Sequence, residues 1–132
     1  MNSSSSTIQL WIEQIMDDSV LSVNSTVSAY DAAKLMEESK AGAIVVLENQ
    51  VPTGIVTNKD LAVKIIAHSY PADTPIRRIM TSPLISISPE TDMETASELM
   101  TSRKIRKLPV IDNDEVIGIV VASKIAEPNR ES

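Results

Sequence analysis

The chain contains an internal repeat, and this repeat limits the possible folds more than any other property of the sequence. When the 132 residues are compared with themselves at an offset of 64, positions 15–62 align with positions 79–126 without a gap, and 13 of the 48 aligned pairs are identical. Ordinary amino-acid usage would give about three identical pairs. The chain therefore carries one structural unit twice. Because a unit of about 50 residues is too small to bury both faces of a sheet, we expect the copies to pack together.

Each copy shows the same order of predicted elements. A short segment of alternating apolar residues predicts a strand at 20–23 and again at 84–87. A helix with apolar residues at intervals of three and four follows, and then two apolar runs around a polar turn predict a pair of strands. The paired runs are 43–47 with 51–56 and 108–111 with 116–121. A second helix is expected from Asn58 to about His68, and Pro128 stops its counterpart early.

One further helix is predicted before the first copy. Its apolar stripe consists of Ile8, Trp11, Ile12 and Ile15, and we interpret Trp11 as a core or dimer-contact residue. The expected domain organisation is a disordered Ser-rich tail at 1–7, the N-terminal helix and first repeat at 8–70, a linker at 71–75, the second repeat at 76–127 and a tail at 128–132.

The composition argues against several classes of function. With 12 Lys and Arg against 18 Asp and Glu, the net charge of −6 disfavours a general nucleic-acid binder. The chain has no cysteine and one histidine, His68, so we expect no metal site and no catalytic residue. No apolar run reaches the roughly 20 residues that span a bilayer, and the N-terminus lacks the pattern of a secretory signal. We therefore expect a cytoplasmic protein that is not an enzyme.

Three sequence motifs carry a family resemblance. Residues 54–60 read Gly-Ile-Val-Thr-Asn-Lys-Asp, residues 79–89 contain an Ile-Met-Thr opening followed by an apolar strand pattern, and residues 105–112 read Ile-Arg-Lys-Leu-Pro-Val-Ile-Asp. Together they resemble CBS domains, which occur as tandem pairs called Bateman modules. The resemblance covers about residues 15–126. It implies an α/β (α+β) fold of two β-α-β-β-α repeats, packed sheet to sheet with pseudo-two-fold symmetry, plus the extra N-terminal helix.

The first motif has residue types that suit a nucleotide. Gly54 permits a close backbone approach within a strand. Thr57 stands where the strand gives way to a helix, and Asp60 lies in the first helical turn, where a carboxylate can accept hydrogen bonds from both hydroxyls of a ribose. In CBS domains, the corresponding aspartate holds the ribose and the corresponding threonine contacts the phosphate side.

A structural interpretation of the same residues stays open. Thr57 and Asp60 have the spacing of a capping box, which satisfies the first N–H groups of a helix without any ligand. The same spacing recurs at Ser28-x-x-Asp31 and Thr91-x-x-Glu94, at the predicted starts of the other long helices. The two interpretations are compatible if the site alternates between them.

The second copy departs from the motif. Val121 stands in place of the threonine and Lys124 in place of the aspartate, and a lysine cannot accept hydrogen bonds from ribose hydroxyls. We therefore expect one intact cleft. In CBS pairs each cleft is composite, so the resemblance implies that the ribose residues of one repeat face the opening and central strands of the other. The predicted ligand-binding residues are Thr57, Asn58, Asp60, Leu84, Ile85, Ile105, Arg106, Lys107 and Pro109.

The distribution of basic residues supports the assignment of a single intact cleft. Arg103, Lys104, Arg106 and Lys107 fall within five positions, whereas the matching window of the first copy contains only Lys40. Arg106 and Lys107 would bind phosphate, and Leu84 and Ile85 would flank the adenine. The alternative for the basic cluster is a solvated loop.

These observations lead to three functional hypotheses. The first is a non-enzymatic regulatory module that needs no cofactor, binds an adenine nucleotide (AMP, ADP or ATP) or a related adenosyl ligand in one composite cleft, and signals by a conformational or oligomeric change. We expect it to form a homodimer through the helix that carries Leu61, Ala62, Ile65 and Ile66, with an unidentified protein target. The alternative is a dimerisation or protein-interaction module without a ligand, in which Thr57 and Asp60 only cap a helix. The third, RNA or DNA binding through the basic cluster, conflicts with the acidic net charge.

Overall fold

The computed structural model describes residues 11–125 of the chain. The predicted tails at 1–7 and 128–132, Ile8, and the end of the second repeat lie outside the described residues. The elements are α1 (Ile12–Ile15), β1 (Ser22–Asn24), α2 (Ala29–Ser39), β2 (Ala43–Glu48), β3 (Val51–Thr57), α3 (Asn58–Asp60, continued by the π-helix Leu61–Ile66), α4 (Met93–Arg103), β4 (Lys107–Asp112) and β5 (Glu115–Val121), with short 3-10 turns at Ile76–Arg78 and Ala122–Lys124. None of the described helices has the length and apolar character needed to cross a membrane.

The strands form one small sheet in each repeat. In the first sheet β1 pairs in parallel with β2, and β2 pairs antiparallel with β3. In the second sheet β4 pairs antiparallel with β5. Both hairpins turn through two consecutive residues with positive φ, Asn49 with Gln50 and Asn113 with Asp114, as the tight hairpin turns that match strand twist require. The predicted mixed α and β architecture of two similar repeats is confirmed.

The sequence predicts a strand at 84–87, at the start of the second repeat, and this prediction is wrong. Residues 84–87 make only one bridge to the sheet, from Ile87 to Val110. In the first repeat, Val45 N donates to Leu21 O and Ser25 N donates to Leu47 O, which extends the pairing of β1 at both ends. The repeat offset puts Pro109 and Pro89 at the positions of those two donors. Because proline has no N–H, both hydrogen bonds are lost and the strand does not form.

The starts of the two long helices are capped at equivalent positions. Ser28 Oγ accepts a hydrogen bond from the backbone of Asp31 at 3.0 Å, as predicted. The predicted cap at Thr91 with Glu94 is wrong, since α4 starts one residue later: Asp92 Oδ1 accepts from Thr95 N at 2.7 Å. The Thr91 hydroxyl instead accepts from Ser88 N. The repeat offset itself aligns Ser28 with Asp92.

The N-terminal segment packs against the second repeat. Its described helix is the single turn α1, and Ile12 is completely buried in the core of the second repeat. Trp11 is 51% exposed, so its interpretation as a core residue is wrong, whereas a dimer contact stays a prediction. Ile15 and Met16 also pack against this core, whereas Trp11 stands at the N-cap, outside the helix.

The two repeats exchange their opening segments. Ile76 and Ile79, at the start of the second repeat, lie in the core of the first. Thr81 pairs with Ile55 on β3, just as Asp17 pairs with Ile119 on β5, and each pairing consists of two backbone hydrogen bonds. These two contacts are related by the repeat offset, and they attach each repeat to the sheet of the other.

The close approach predicted at Gly54 is confirmed. A Cβ atom there would lie 2.6 Å from Met80 Sδ and 3.0 Å from the carbonyl oxygen of Thr81. Gly118 lies against Met16 in the same way. Glycine at these two positions therefore allows the exchanged segments to lie directly on the strands.

Candidate functional site

A reciprocal cap holds the start of α3. β3 ends at Thr57, and Thr57 Oγ1 accepts a hydrogen bond from Asp60 N at 3.2 Å. In return, Asp60 Oδ2 accepts from Thr57 N at 2.9 Å and from the Thr57 hydroxyl at 3.1 Å. These bonds satisfy backbone donors that a helix start leaves without partners. The capping interpretation of this pair is confirmed, and it uses one of the two carboxylate oxygens.

The other oxygen of Asp60 faces the exchanged opening segment of the second repeat. Asp60 Oδ1 accepts a hydrogen bond from the Thr81 hydroxyl at 3.3 Å and forms an ion pair with Lys64 Nζ at 3.4 Å. Lys64 Nζ also donates to Ile79 O at 2.9 Å. The Asp60 side chain is 13% exposed. The carboxylate thus has one oxygen that caps α3 and one that makes longer contacts, to Lys64 on the same helix and to Thr81 across the repeat boundary.

A cleft of about 460 Å³ opens at this carboxylate. Its volume lies within the range of about 300–1,000 Å³ that is typical of small-molecule sites. One wall comes from Gly42, just before β2, and from β3 and α3 of the first repeat. The other comes from Thr81 and from residues 104–107, where α4 leads into β4. The lining residues are Gly42, Ile55, Thr57, Asn58, Lys59, Asp60, Val63, Lys64, Thr81, Lys104, Ile105, Arg106 and Lys107.

The second wall has a fixed backbone. α4 ends at Arg103, and Lys104 takes a left-handed conformation with φ of 58°. Ile105 N then bonds to Met100 O, and the Ile105 side chain packs against the second core. The carbonyl of Arg106 accepts from Ala122 N at 2.8 Å. A C-terminal helix turn and a partly buried isoleucine therefore position the cationic side chains on this wall.

The structure brings together six of the nine predicted site residues. The six that line the cleft are Thr57, Asn58, Asp60, Ile105, Arg106 and Lys107. Leu84, Ile85 and Pro109 are not among the lining residues. Pro109 is fully buried and its carbonyl accepts from Ile87 N, whereas Ile85 packs against the second core. The contact of Leu84, Ile85 and Pro109 with a ligand stays a prediction.

Sequence reasoning missed Thr81 and Lys64. Lys64 follows Asp60 by four residues, the spacing of a helical ion pair, so this contact had a local signal. Thr81 is 21 residues away, and only the exchange of segments between repeats brings its hydroxyl to Asp60. Thr81 was identified as part of the opening motif of the second copy but not as a site residue.

The corresponding position of the second repeat has no cap. Val121 makes no side-chain capping bond, and the described residues that follow form the single 3-10 turn Ala122–Lys124. Val121 and Lys124 occupy the places of Thr57 and Asp60. The first repeat, by contrast, continues from its cap into two turns of helix. The difference agrees with the expectation that the two clefts are not equivalent.

The described part of the chain offers recognition chemistry rather than a metal centre. Within residues 11–125, no group of three or more histidine, aspartate or glutamate side chains is placed to hold a metal ion. His68 is exposed and stacks edge-on against Tyr70 at a centroid distance of 5.7 Å. The cleft instead presents one carboxylate, two threonine hydroxyls and several cations. These groups bind hydroxyls and anions.

Comparison with known proteins identifies the same repeat. A family model described as "CBS domain" matches residues 12–67 and again 76–127. The CBS domain-containing protein YhcV of Bacillus subtilis is 33% identical over 115 residues, which cover 87% of this chain and 82% of YhcV. The structure of the hexameric CBS-CP12 protein from bloom-forming cyanobacteria superposes with a TM-score of 0.79 at 31% identity, covering 88% of this chain and 69% of that one. An uncharacterized conserved protein from Pyrococcus horikoshii superposes with a TM-score of 0.81 at 26% identity, covering 96% of both chains.

Proposed function

Since the chain belongs to the CBS domain family and carries the domain twice, we propose that it is a regulatory module whose cleft binds an adenine nucleotide or a related adenosyl ligand. Proteins of this family are generally regulatory and non-catalytic. The observation that carries the proposal is the composite cleft itself. It combines a carboxylate from the first repeat, Asp60, with Arg106 and Lys107 from the second. The carboxylate can accept hydrogen bonds from ribose hydroxyls, and the two cationic side chains can bind phosphate.

The two oxygens of Asp60 allow capping and ligand binding together. Oδ2 accepts from Thr57 N at 2.9 Å, a short bond that α3 needs. Oδ1 accepts from Thr81 and Lys64 at 3.3 and 3.4 Å, and these longer contacts are weaker. Ribose hydroxyls would exchange with Thr81 and Lys64 at Oδ1. The cap on Oδ2 would persist, so that binding does not require α3 to unwind.

This exchange of hydrogen-bond partners would couple ligand binding to the packing of the two repeats. Thr81 and Ile79, the contacts of Asp60 and Lys64, belong to the segment that leaves the first core and enters the second repeat. Replacing those contacts changes how strongly α3 holds the segment. The ligand would thereby alter the relative stability of two arrangements of the repeats, by no more than its difference in affinity for them.

Thermal unfolding against adenosine, AMP, ADP, ATP and S-adenosylmethionine tests the proposal. A ligand at a hundredfold excess over its Kd stabilises the folded state by about 2.7 kcal/mol, which is a shift of several degrees. We expect Asp60→Asn to abolish most of that shift. Asp31→Asn is the matched control, because Asp31 occupies the same first-turn position of α2 and does not line the cleft. A shift that survives Asp60→Asn, or no shift with any of the five compounds, would reject the proposal.

A second candidate function, self-association, has its own observation. Val63 and Ile66 on the outer face of α3 are 46% and 74% exposed. The face predicted for dimerisation is partly corrected here, because Leu61 and Ile65 pack against the first core. The cyanobacterial CBS-CP12 protein is hexameric. We propose that the exposed apolar residues of α3 contact a second copy of this chain.

The oligomeric state tests this second proposal. Sedimentation velocity of the wild type should give a species of at least twice the mass of one chain, and Ile66→Glu should give the monomer. Val51→Glu is the control, because Val51 is 52% exposed but lies on β3 rather than on α3. A monomeric wild type, or an oligomer that Ile66→Glu leaves intact, would rule out this surface.

A further inference from the structure

The cleft is strongly cationic, although the whole chain has a net charge of −6. Among its lining residues, one is acidic, Asp60. The cationic lining residues are Lys59, Lys64, Lys104, Arg106 and Lys107. Five positive side chains around a single carboxylate exceed what one phosphate would neutralise. This excess of positive charge indicates that the natural ligand carries more negative charge than a single phosphate.

Most of these cations are not neutralised by the protein. Within residues 11–125, the only ion pair with an N–O distance of 4.0 Å or less joins Lys64 to Asp60. The other four cationic side chains divide between the walls, with Lys59 on α3 and three on the segment after α4. A ligand between the walls would therefore meet positive charge on both sides. Concentrated positive charge in a narrow cleft attracts polyanions and repels cations.

The cleft also has room for a chain of phosphates. A Cβ atom built on Gly42 would lie 3.6 Å from Lys107 Cε and 3.8 Å from Asn58 Nδ2, so Lys107 crosses to the first-repeat wall at this glycine. A second cavity of about 430 Å³ begins at the same Gly42 and Asn58. Glu37 and Lys40 lie among its lining residues, and their charges offset each other. The two cavities therefore adjoin at Gly42 and Asn58, and the distal end of an extended ligand would lie toward the second one.

We infer that this cleft selects adenine nucleotides with two or three phosphates over AMP, and excludes cationic adenosyl compounds such as S-adenosylmethionine. The inference rests on the proposed function, because it assumes that Asp60 binds the ribose. Arg106 supplies a planar fork for two phosphate oxygens, and Lys59, Lys104 and Lys107 act as point charges along the chain. A monophosphate leaves most of them without a counterion. In S-adenosylmethionine the carboxylate offsets the ammonium group, and the sulfonium leaves a net positive charge that these cations would repel.

Affinities measured by calorimetry without divalent cations test the inference. We expect each phosphate added from AMP to ADP to ATP to tighten binding by roughly fivefold, and S-adenosylmethionine to bind at least about tenfold more weakly than ATP. The double variant Arg106→Gln/Lys107→Gln should reduce the ratio of ATP to AMP affinity to about twofold or less. Lys34→Gln/Arg77→Gln removes the same charge from residues that do not line the cleft, and it should preserve the wild-type ratio.

Each result has a distinct meaning. If adenosine and AMP bind in a way that requires Asp60 but ATP binds no more tightly than AMP, the inference fails and the proposed function stands. Tighter binding of S-adenosylmethionine than of ATP has the same meaning. If inorganic triphosphate binds as tightly as ATP and Asp60→Asn has no effect, the cleft is an anion patch, and both the inference and the proposed function fail. If no compound binds, both also fail.

Discussion

Replacement of Gly54 by alanine tests the exchange of segments between the repeats. The new Cβ would lie 2.6 Å from Met80 Sδ, 2.9 Å from Met80 Cγ and 3.0 Å from Thr81 O. The methionine end is flexible, but the Thr81 carbonyl is backbone and accepts from Ile55 N at 3.1 Å. The substitution therefore forces the exchanged segment away from β3. Overpacking of this kind costs about 1–3 kcal/mol, which corresponds to a fall in Tm of roughly 4–11 °C for a chain of 132 residues.

Gly42→Ala provides a matched comparison. Its Cβ would meet Lys107 and Asn58 at 3.6 and 3.8 Å, which are ordinary contact distances. It should leave stability unchanged or raise it by up to about 1 kcal/mol, because alanine restricts the unfolded chain. Urea unfolding of the two variants at one pH measures the difference. Equal midpoints for Gly54→Ala and Gly42→Ala would refute the account of how the segment packs.

Three further predictions concern the caps and the ion pair. Thr57→Val copies the residue found in the second repeat and removes the acceptor of Asp60 N, so urea unfolding should show a loss of about 0.5–2 kcal/mol, and an unchanged midpoint would contradict the cap. The hydrogen bonds from Thr95 hold the pKa of Asp92 below its ordinary value of 3.8. The ionised cap therefore stabilises the fold above pH 3.8 and loses this effect as the pH falls through the lowered pKa; an advantage over Asp92→Asn in acid titrations that persists below that range would contradict the assignment. Lys64→Met removes a competitor at Asp60 Oδ1, so calorimetry should show adenosine binding roughly threefold more tightly, and weaker binding would argue against the exchange.

Much of the fold was predictable because the same sequence pattern occurs twice in the chain. The offset of 64 residues identified two equivalent units, and the hairpins and long helices of both are present. The missing strand at 84–87 shows the limit of apolar pattern alone. Pro89 and Pro109 remove two backbone donors that the first repeat uses, and an apolar pattern carries no information on which backbone N–H groups pair the strands.

The site was predictable in its chemistry but less so in its contacts. Thr57, Asp60 and Arg106 line one cleft, as expected from a motif in one repeat and a charge cluster in the other. Their contact with a ligand stays a prediction. Thr81 could not be assigned from the sequence, because its approach to Asp60 depends on packing between segments that no local pattern encodes. Exposure of Trp11 was likewise unpredictable, since a one-turn helix has too few residues for a stripe to define its buried side.

The central claim is that this tandem pair has one working nucleotide cleft, centred on Asp60. Titration calorimetry of ATP into the wild type and into Asp60→Asn measures this most directly, because it gives both the affinity and the number of sites. The account predicts one ATP per chain, since Val121 and Lys124 replace the required residues in the second repeat. It also predicts that Asp60→Asn weakens binding by between about tenfold and a hundredfold. Two equivalent sites per chain, no binding to the wild type, or equal affinity in the variant would contradict it.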